Sequence, residues 1–219
     1  MLVTGTPPQG KQQTTSLAPS STGGYPLRQG NLGEAIVSEL HGRYYEQTYR
    51  LASFAGGTAG VVATALSTGL ATTYTGGLVL YNPYGNSYNL VLQKVGVSFV
   101  LAQTNASAIG IMTGQSSTAL SGTLTAMNMQ SSLVGSGANP TGILYSSASI
   151  TLPVAPILRN IIGTVDTGAL TVGVSGIPGT TDFEGSIILA PGAFACIYSS
   201  AAGTASSLIA TMQWEEVPL

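Results

Sequence analysis

The chain has 219 residues, of which 6% are Asp, Glu, Lys or Arg and 44% are hydrophobic, and its net charge is −2. Ordinary soluble domains carry roughly 25% charged residues, and six scattered Lys and Arg leave no basic footprint for nucleic acid. No uninterrupted apolar run reaches the ~18 residues of a membrane-spanning helix, and a single cysteine excludes an internal disulfide framework.

The length suits one β domain with an appendage, because sandwiches of ~200–250 residues commonly form a single unit. Solubility of a free monomer usually rests on surface charge. Its scarcity here predicts flanks covered by copies of the chain or by a partner. The start, MLVTGTPPQGKQQTTS, lacks the charged-then-apolar pattern of a secretory signal, and lone Cys196 fits synthesis in a reducing cytoplasm.

Residues 1–33 place Pro7, Pro8, Pro19 and Pro26 among Gly, Ser, Thr and Gln, without periodicity. Such a stretch cannot offset its own ordering entropy. It reads as an extended N-terminal arm, either a disordered tail or a segment ordered against a neighbour. Tyr25, Leu27 and Arg28 are its candidate anchors, since Tyr and Arg carry much contact energy at interfaces. Residues 34–219 form the expected sandwich domain.

From 31 to 50 the chain turns polar and aromatic, NLGEAIVSELHGRYYEQTYR. Asn31 followed by Glu34 resembles a helix start, Ile36 and Leu40 share a helix face, and Gly42 ends it. One short helix at most is expected. Arg43, Tyr44, Tyr45, Tyr49 and Arg50 make a candidate partner-contact surface. His41, beside Glu39 and Arg43, reads as a surface or interface histidine because no catalytic set accompanies it.

After Arg50 charge nearly vanishes, with only Lys94, Arg159 and Asp166 before residue 182. Strand-like pieces at 59–66 and 70–74 lead to the apolar run Leu78–Tyr81. The break Asn82-Pro83-Tyr84-Gly85-Asn86-Ser87 reads as a turn, with Gly85 and Asn86 able to take a positive φ. The next strand alternates: Leu90, Leu92 and Lys94 on one parity, Val91, Gln93, Val95, Val97 and Phe99 on the other. A short run at 107–113 follows, then small-residue loops from 114 to 150. Met112, Met127 and Met129 suit gap-filling positions. Further strands are expected at 151–165, with Pro153 and Pro156 placing it at a sheet edge, and at 169–175 and 185–190. A Pro-Gly turn at 191–192 and a loop at 201–203 separate the last strands, and Trp214 reads as a core or inter-subunit plug. Eight to ten short strands between turn signals specify an all-β fold, a β-sandwich or jelly-roll-like domain.

No catalytic set completes itself. Gly173-Val174-Ser175 begins a nucleophile elbow, but Ile177 stands where the second Gly belongs. Cys196 inside AFACIY suits a buried, inert thiol. Asp182/Glu184 and Glu215/Glu216 are paired carboxylates; the first could share a strand face as a weak cation site, and either could be asked to serve a glycan hydrolase. Solvated acids at turns are the plainer reading. No phosphate loop, dinucleotide fingerprint or zinc spacing is present, so no cofactor or metal is expected.

Three blocks, GEAIVSELHGRYYEQTYR, LVLYNPYGNSYNLVLQKV and IILAPGAFACIYSSAAGTASSLIATMQWEEVP, together resemble small virion structural proteins of tailed bacteriophages, most of all the β-sandwich head decoration (cement) proteins. The resemblance spans about residues 30 to 219. It implies a jelly-roll-like fold, self-association (commonly a homotrimer), the major capsid protein as partner, and a place on the capsid surface of the virion. It implies no catalytic residues, membrane or nucleic acid. The alternative is a tail, fibre or capsid-fibre component whose Tyr74, Tyr84 and Tyr88 serve a glycan or receptor.

Overall fold

The computed structural model describes residues 52–57, 61–63, 69–74, 77–101, 106–146, 149–165, 179–201 and 206–219. The arm at 1–33, the helix expected within 34–42, His41, the Tyr/Arg segment to Arg50 and the strand expected at 169–175 lie outside the described residues.

Among the described residues every regular element is a strand. In chain order these are β1 (Ala52–Gly57), β2 (Val61–Ala63), β3 (Thr73–Tyr74), β4 (Leu78–Tyr81), β5 (Tyr88–Leu101), β6 (Ser107–Gln115) and β7 (Ser121–Thr123). Then come β8 (Met129–Ser131), β9 (Ile143–Ser146), β10 (Ser149–Thr151), β11 (Ile157–Val165), β12 (Thr180–Leu189), β13 (Ala193–Ser199) and β14 (Ser206–Pro218). One sheet runs β12-β5-β14-β1-β8, with β2 also on β14; a second runs β11-β6-β13-β4-β9; a small third runs β3-β10-β7. All pairs are antiparallel. The fold is a β-sandwich.

The five-stranded sheet is covered on both faces. Leu78, Leu80, Ile109, Ile111 and Ile197 pack toward the six-stranded sheet, against Leu90, Leu92, Val95, Met212 and Trp214. Alternate residues of the same strands, Val79, Tyr81, Met112, Phe194 and Cys196, pack toward the small sheet with Tyr74, Ile150 and Leu152. Successive strand side chains point to opposite faces. A strand with a layer on each side is therefore apolar at every position. That is why Leu78–Tyr81 reads LVLY and is buried throughout.

The long strand β5 departs from the alternation expected of it. Leu92 lies opposite Trp214 and Lys94 opposite the adjacent Gln213, so Gln93 is one extra residue on β5. This bulge re-phases the strand. Leu90 and Leu92 before it, and Val95 and Val97 after it, all enter the same core at 0–1% exposure, whereas strict parity would have put the two pairs on opposite faces. On the other side, Asp182 pairs with Lys94 and Ile187 with Leu92, leaving residues 183–186 opposite that same Gln93. Phe183 turns from this wide bulge into the core, and Glu184 and Gly185 take φ of 48° and 74° to allow it.

The strand expected at 151–165 is two strands in two sheets. β10 is central in the small sheet, the chain breaks between Leu152 and Pro156, and β11 forms an edge of the five-stranded sheet. Pro153 and Pro156 both lie in that break, which they account for because neither can donate to a ladder; they do not sit in β11 and do not set its edge position. Trp214 is fully buried, its ring 6.2 Å from that of Phe54, so within this chain it belongs to the core.

Candidate interaction surface

Strand register gathers five connections at one end of the sandwich. Tyr88 lies opposite Pro218, Leu189 opposite Leu90, Ala52 opposite Glu216 and Ser131 opposite Phe54. In the other sheet Tyr81 lies opposite both Phe194 and Ile143, and Gln115 opposite Ala193. The turns at 82–87, 116–120, 132–142, 152–156 and 190–192 therefore share this end with the entry to β1.

Three of these turns have one build. Asn86 N donates to Pro83 O at 3.1 Å, Ser136 N to Leu133 O at 3.0 Å, and Ala193 N to Ala190 O at 2.9 Å. The third position is glycine in each, with φ of 89° at Gly85, 90° at Gly135 and 85° at Gly192. A positive φ there defines the type II turn and selects glycine. Pro83 thus precedes the corner, and Tyr84, Val134 and Pro191 occupy the projecting second position.

Asn82 fastens the turns together. It is fully buried. Its Nδ2 donates to Tyr88 O and Leu189 O, both at 2.8 Å, and its Oδ1 accepts from Asn86 Nδ2 at 2.6 Å. Its backbone N–H donates to Ala193 O and its carbonyl accepts from Gly192 N. Asn86 Nδ2 also reaches Thr141 Oγ1 at 2.9 Å. Thr141 in turn meets the buried Glu216 carboxylate, which accepts from Thr141 N, Gly142 N and Thr141 Oγ1, each at 2.8 Å. Trp214 Nε1 lies 3.4 Å from the same carboxylate. A satisfied network of this kind holds one geometry, because each alternative strands a buried polar group.

What this end shows to solvent is uncharged, a mixture of apolar side chains with Ser, Thr and Asn. Val134 is 92% exposed and Tyr84 66%, with Leu133, Ile157 and Ile188 exposed beside them. The five turns contain no Asp, Glu, Lys, Arg or His.

Next to this end, on the outer face of the six-stranded sheet, lies an open cleft of about 560 Å³, lined by Ala55, Gly56, Asn128, Gln130, Ser132 and Gln213 among others. Its polar groups are amides and hydroxyls. Ser132 Oγ bonds Ser53 Oγ at 2.9 Å. Glu215 sits opposite Ser53 and Val91 in the ladder. It is 2% exposed, its Oε2 has no hydrogen-bond partner, and burial pushes its carboxyl up to about 7.

Comparison with protein-family models, with curated proteins and with solved structures finds no match. The surface is therefore interpreted from its own residues.

The candidate contact residues Tyr25, Leu27, Arg28, Arg43, Tyr44, Tyr45, Tyr49 and Arg50 lie outside the described residues. The three tyrosines expected as a glycan platform do not act together. Tyr84 is exposed and Tyr88 half-buried, whereas Tyr74 is 1% exposed in the second core, where burial raises its hydroxyl well above the usual range. Neither carboxylate pair is a matched pair. Asp182 binds Lys94 Nζ at 3.3 Å and caps Glu184 N. Glu216 is committed to the 141–142 backbone, whereas its neighbour Glu215 projects to the opposite sheet face, as adjacent strand residues must. Burial pushes the Cys196 thiol far up, in keeping with an inert cysteine. Among the described residues no three His, Cys, Asp or Glu cluster as metal ligands, and no helix is long and apolar enough to cross a membrane. Sequence reading passed over Leu133 and Val134. Their signal was the tetrapeptide Leu-Val-Gly-Ser, built like Pro-Tyr-Gly-Asn and Ala-Pro-Gly-Ala.

Proposed function

We propose that this chain is a non-enzymatic virion structural protein, a capsid decoration (cement) protein that binds the outside of an assembled head lattice. Its partners in this reading are the major capsid protein and further copies of itself, as a homotrimer. The observation that carries the reading is the uncharged end built on hydrogen-bonded turns, with Tyr84 and Val134 exposed at their corners. The resemblance of the three sequence blocks supports it. So does the scarcity of charge, which suits surfaces covered in an assembly.

The mechanism is mass action. A protein that binds the assembled lattice but not free subunits stabilises the lattice by its binding free energy, with no bond made or broken. Residues 31–50 supply ionic register and aromatic contact, and the sandwich supplies a rigid body.

Locating the protein in an electron-microscopy map of the particle tests this. Hundreds of copies spread over the head surface are expected. A few copies at the tail or at fibres would replace the reading with the fibre alternative, and absence from the particle would end both.

A further inference from the structure

We propose that the cleft on the outer face of the six-stranded sheet binds an uncharged saccharide, held between the side-chain amides of Gln213 and Gln130. This goes beyond the decoration reading and does not rest on it. Register builds the site. Gln213 on β14 and Gln130 on β8 both lie opposite Ala55 of β1, and all three line the cleft. Phe54, the inward neighbour of Ala55, fills the core, so the outward Ala55 methyl is left as a low floor between two long side chains. With about 4.8 Å between strands, the two glutamine positions stand roughly 9.6 Å apart. That is room for one sugar ring with a hydrogen bond of about 2.9 Å to each wall. Thr211 extends the first wall and Asn128 the second. Toward the turn end the floor closes, where buried Ser53 bonds Ser132 Oγ at 2.9 Å, and Val134 stands at the rim.

Chemistry selects the class of ligand. Every polar side chain lining the cleft is an amide or a hydroxyl, and none is ionisable. Glu215, two positions beyond Gln213 on the same face of β14, is 2% exposed and takes no part in the lining. An ion bound here would lose hydration without gaining a counter-ion. A sugar hydroxyl both donates and accepts, and an amide side chain offers a donor and an acceptor on one planar group. Gln213 Nε2 makes a long contact of 3.4 Å to Ser132 Oγ, a weak bond that a sugar hydroxyl readily replaces.

An extended peptide fits less well. β1 is paired on both sides at Ala55, so its backbone is committed to ladders and offers no edge for strand addition. Recognition has to come from side chains. The volume of about 560 Å³ lies in the range of small-molecule sites, and the open side lets a chain of sugar units run past the two amides.

The test titrates full-length protein with neutral tetrasaccharides of glucose, of galactose and of N-acetylglucosamine, followed by saturation-transfer NMR. A sulfated tetrasaccharide and a Gly-Ser tetrapeptide serve as comparisons. At least one neutral sugar should bind saturably, with an affinity that changes less than about twofold when salt is raised about tenfold, since no ion pair is screened. Gln130→Ala and Gln213→Ala should each weaken it about tenfold by removing the hydrogen bonds of one wall. Ala55→Leu should abolish it by filling the slot. These side chains line an open cleft, so thermal midpoints should stay within a few degrees of wild type. Affinity unchanged in the two glutamine variants overturns the inference. So does tighter binding of the sulfated sugar or of the peptide, or failure of all three neutral sugars to bind. None of these outcomes touches the placement of the chain on the head, which the microscopy map decides.

Discussion

Replacing Glu215 by Gln removes a buried charge and leaves shape nearly unchanged. The carboxyl is 2% exposed, Oε2 meets no donor, and burial raises it from the ordinary 4.5 to about 7. Because the folded state holds this proton more tightly than the unfolded state, its contribution is fully present below pH 4.5 and declines as pH rises to 7 and beyond. The difference corresponds to ~3 kcal/mol between the two limits. Burial is the cause of the shift, and among the described residues Lys94 is bound to Asp182 at 3.3 Å.

Glu215→Gln mimics the protonated acid at every pH. At pH 5 the variant and the wild type should unfold at similar urea concentrations. At pH 8.5 the variant should be more stable by up to ~3 kcal/mol, or roughly 5–10 °C in thermal midpoint for a chain of this size. Urea and thermal melts from pH 4.5 to 9 measure both. Equal slopes of stability against pH in the two proteins would refute the reasoning, because Glu215 would then be reached by water or by a donor in the folded state.

Two further substitutions examine the frame of the turn end. Glu216→Ala strands Thr141 N, Gly142 N and Thr141 Oγ1, each now 2.8 Å from the carboxylate, and should cost about 3–4 kcal/mol; hydrogen exchange should quicken in residues 132–142 before the sheets. Gly192→Ala puts a Cβ against Ser116 O at a φ of 85° and should cost about 2–3 kcal/mol. Gly69→Ala, at a φ of 76° with nothing within 4 Å, should cost only about 1 kcal/mol. Denaturant melts of the two glycine variants check the difference, and equal losses would mean that Ser116 yields freely.

The fold class was legible because it rests on signals of short range. Leu78–Tyr81, the Pro-Gly turn at 191–192 and the run around Cys196 all stand where sequence reading placed them, whereas Pro153 and Pro156 split the single edge strand expected there into two strands. The side-chain parity of β5 was not legible. Gln93 looks like any other strand residue, and only its unequal pairing with β14 and β12 makes it a bulge. The small third sheet was hidden for a related reason. β3, β7 and β10 have two or three residues each, too few to show a period. The signs of a second core lay instead in the unbroken apolarity of Leu78–Tyr81 and of AFACIY.

The turn end escaped sequence reading because it depends on which turns meet. Asn82 and Glu216 are 134 positions apart (216 − 82) in the chain, yet Asn86 and Thr141 join them. Here a chain with few ions obtains a single, specific geometry from two amides, a hydroxyl and one carboxylate. Asn82 and the Glu216 carboxylate spend their polar atoms on backbone groups, Asn86 and Thr141. Tyr84 and Val134 are left exposed at the corners of turns that carry no ion of their own. Uncharged turns cost less to strip of water than charged ones, so the network stiffens this end without adding an ionic desolvation cost to it.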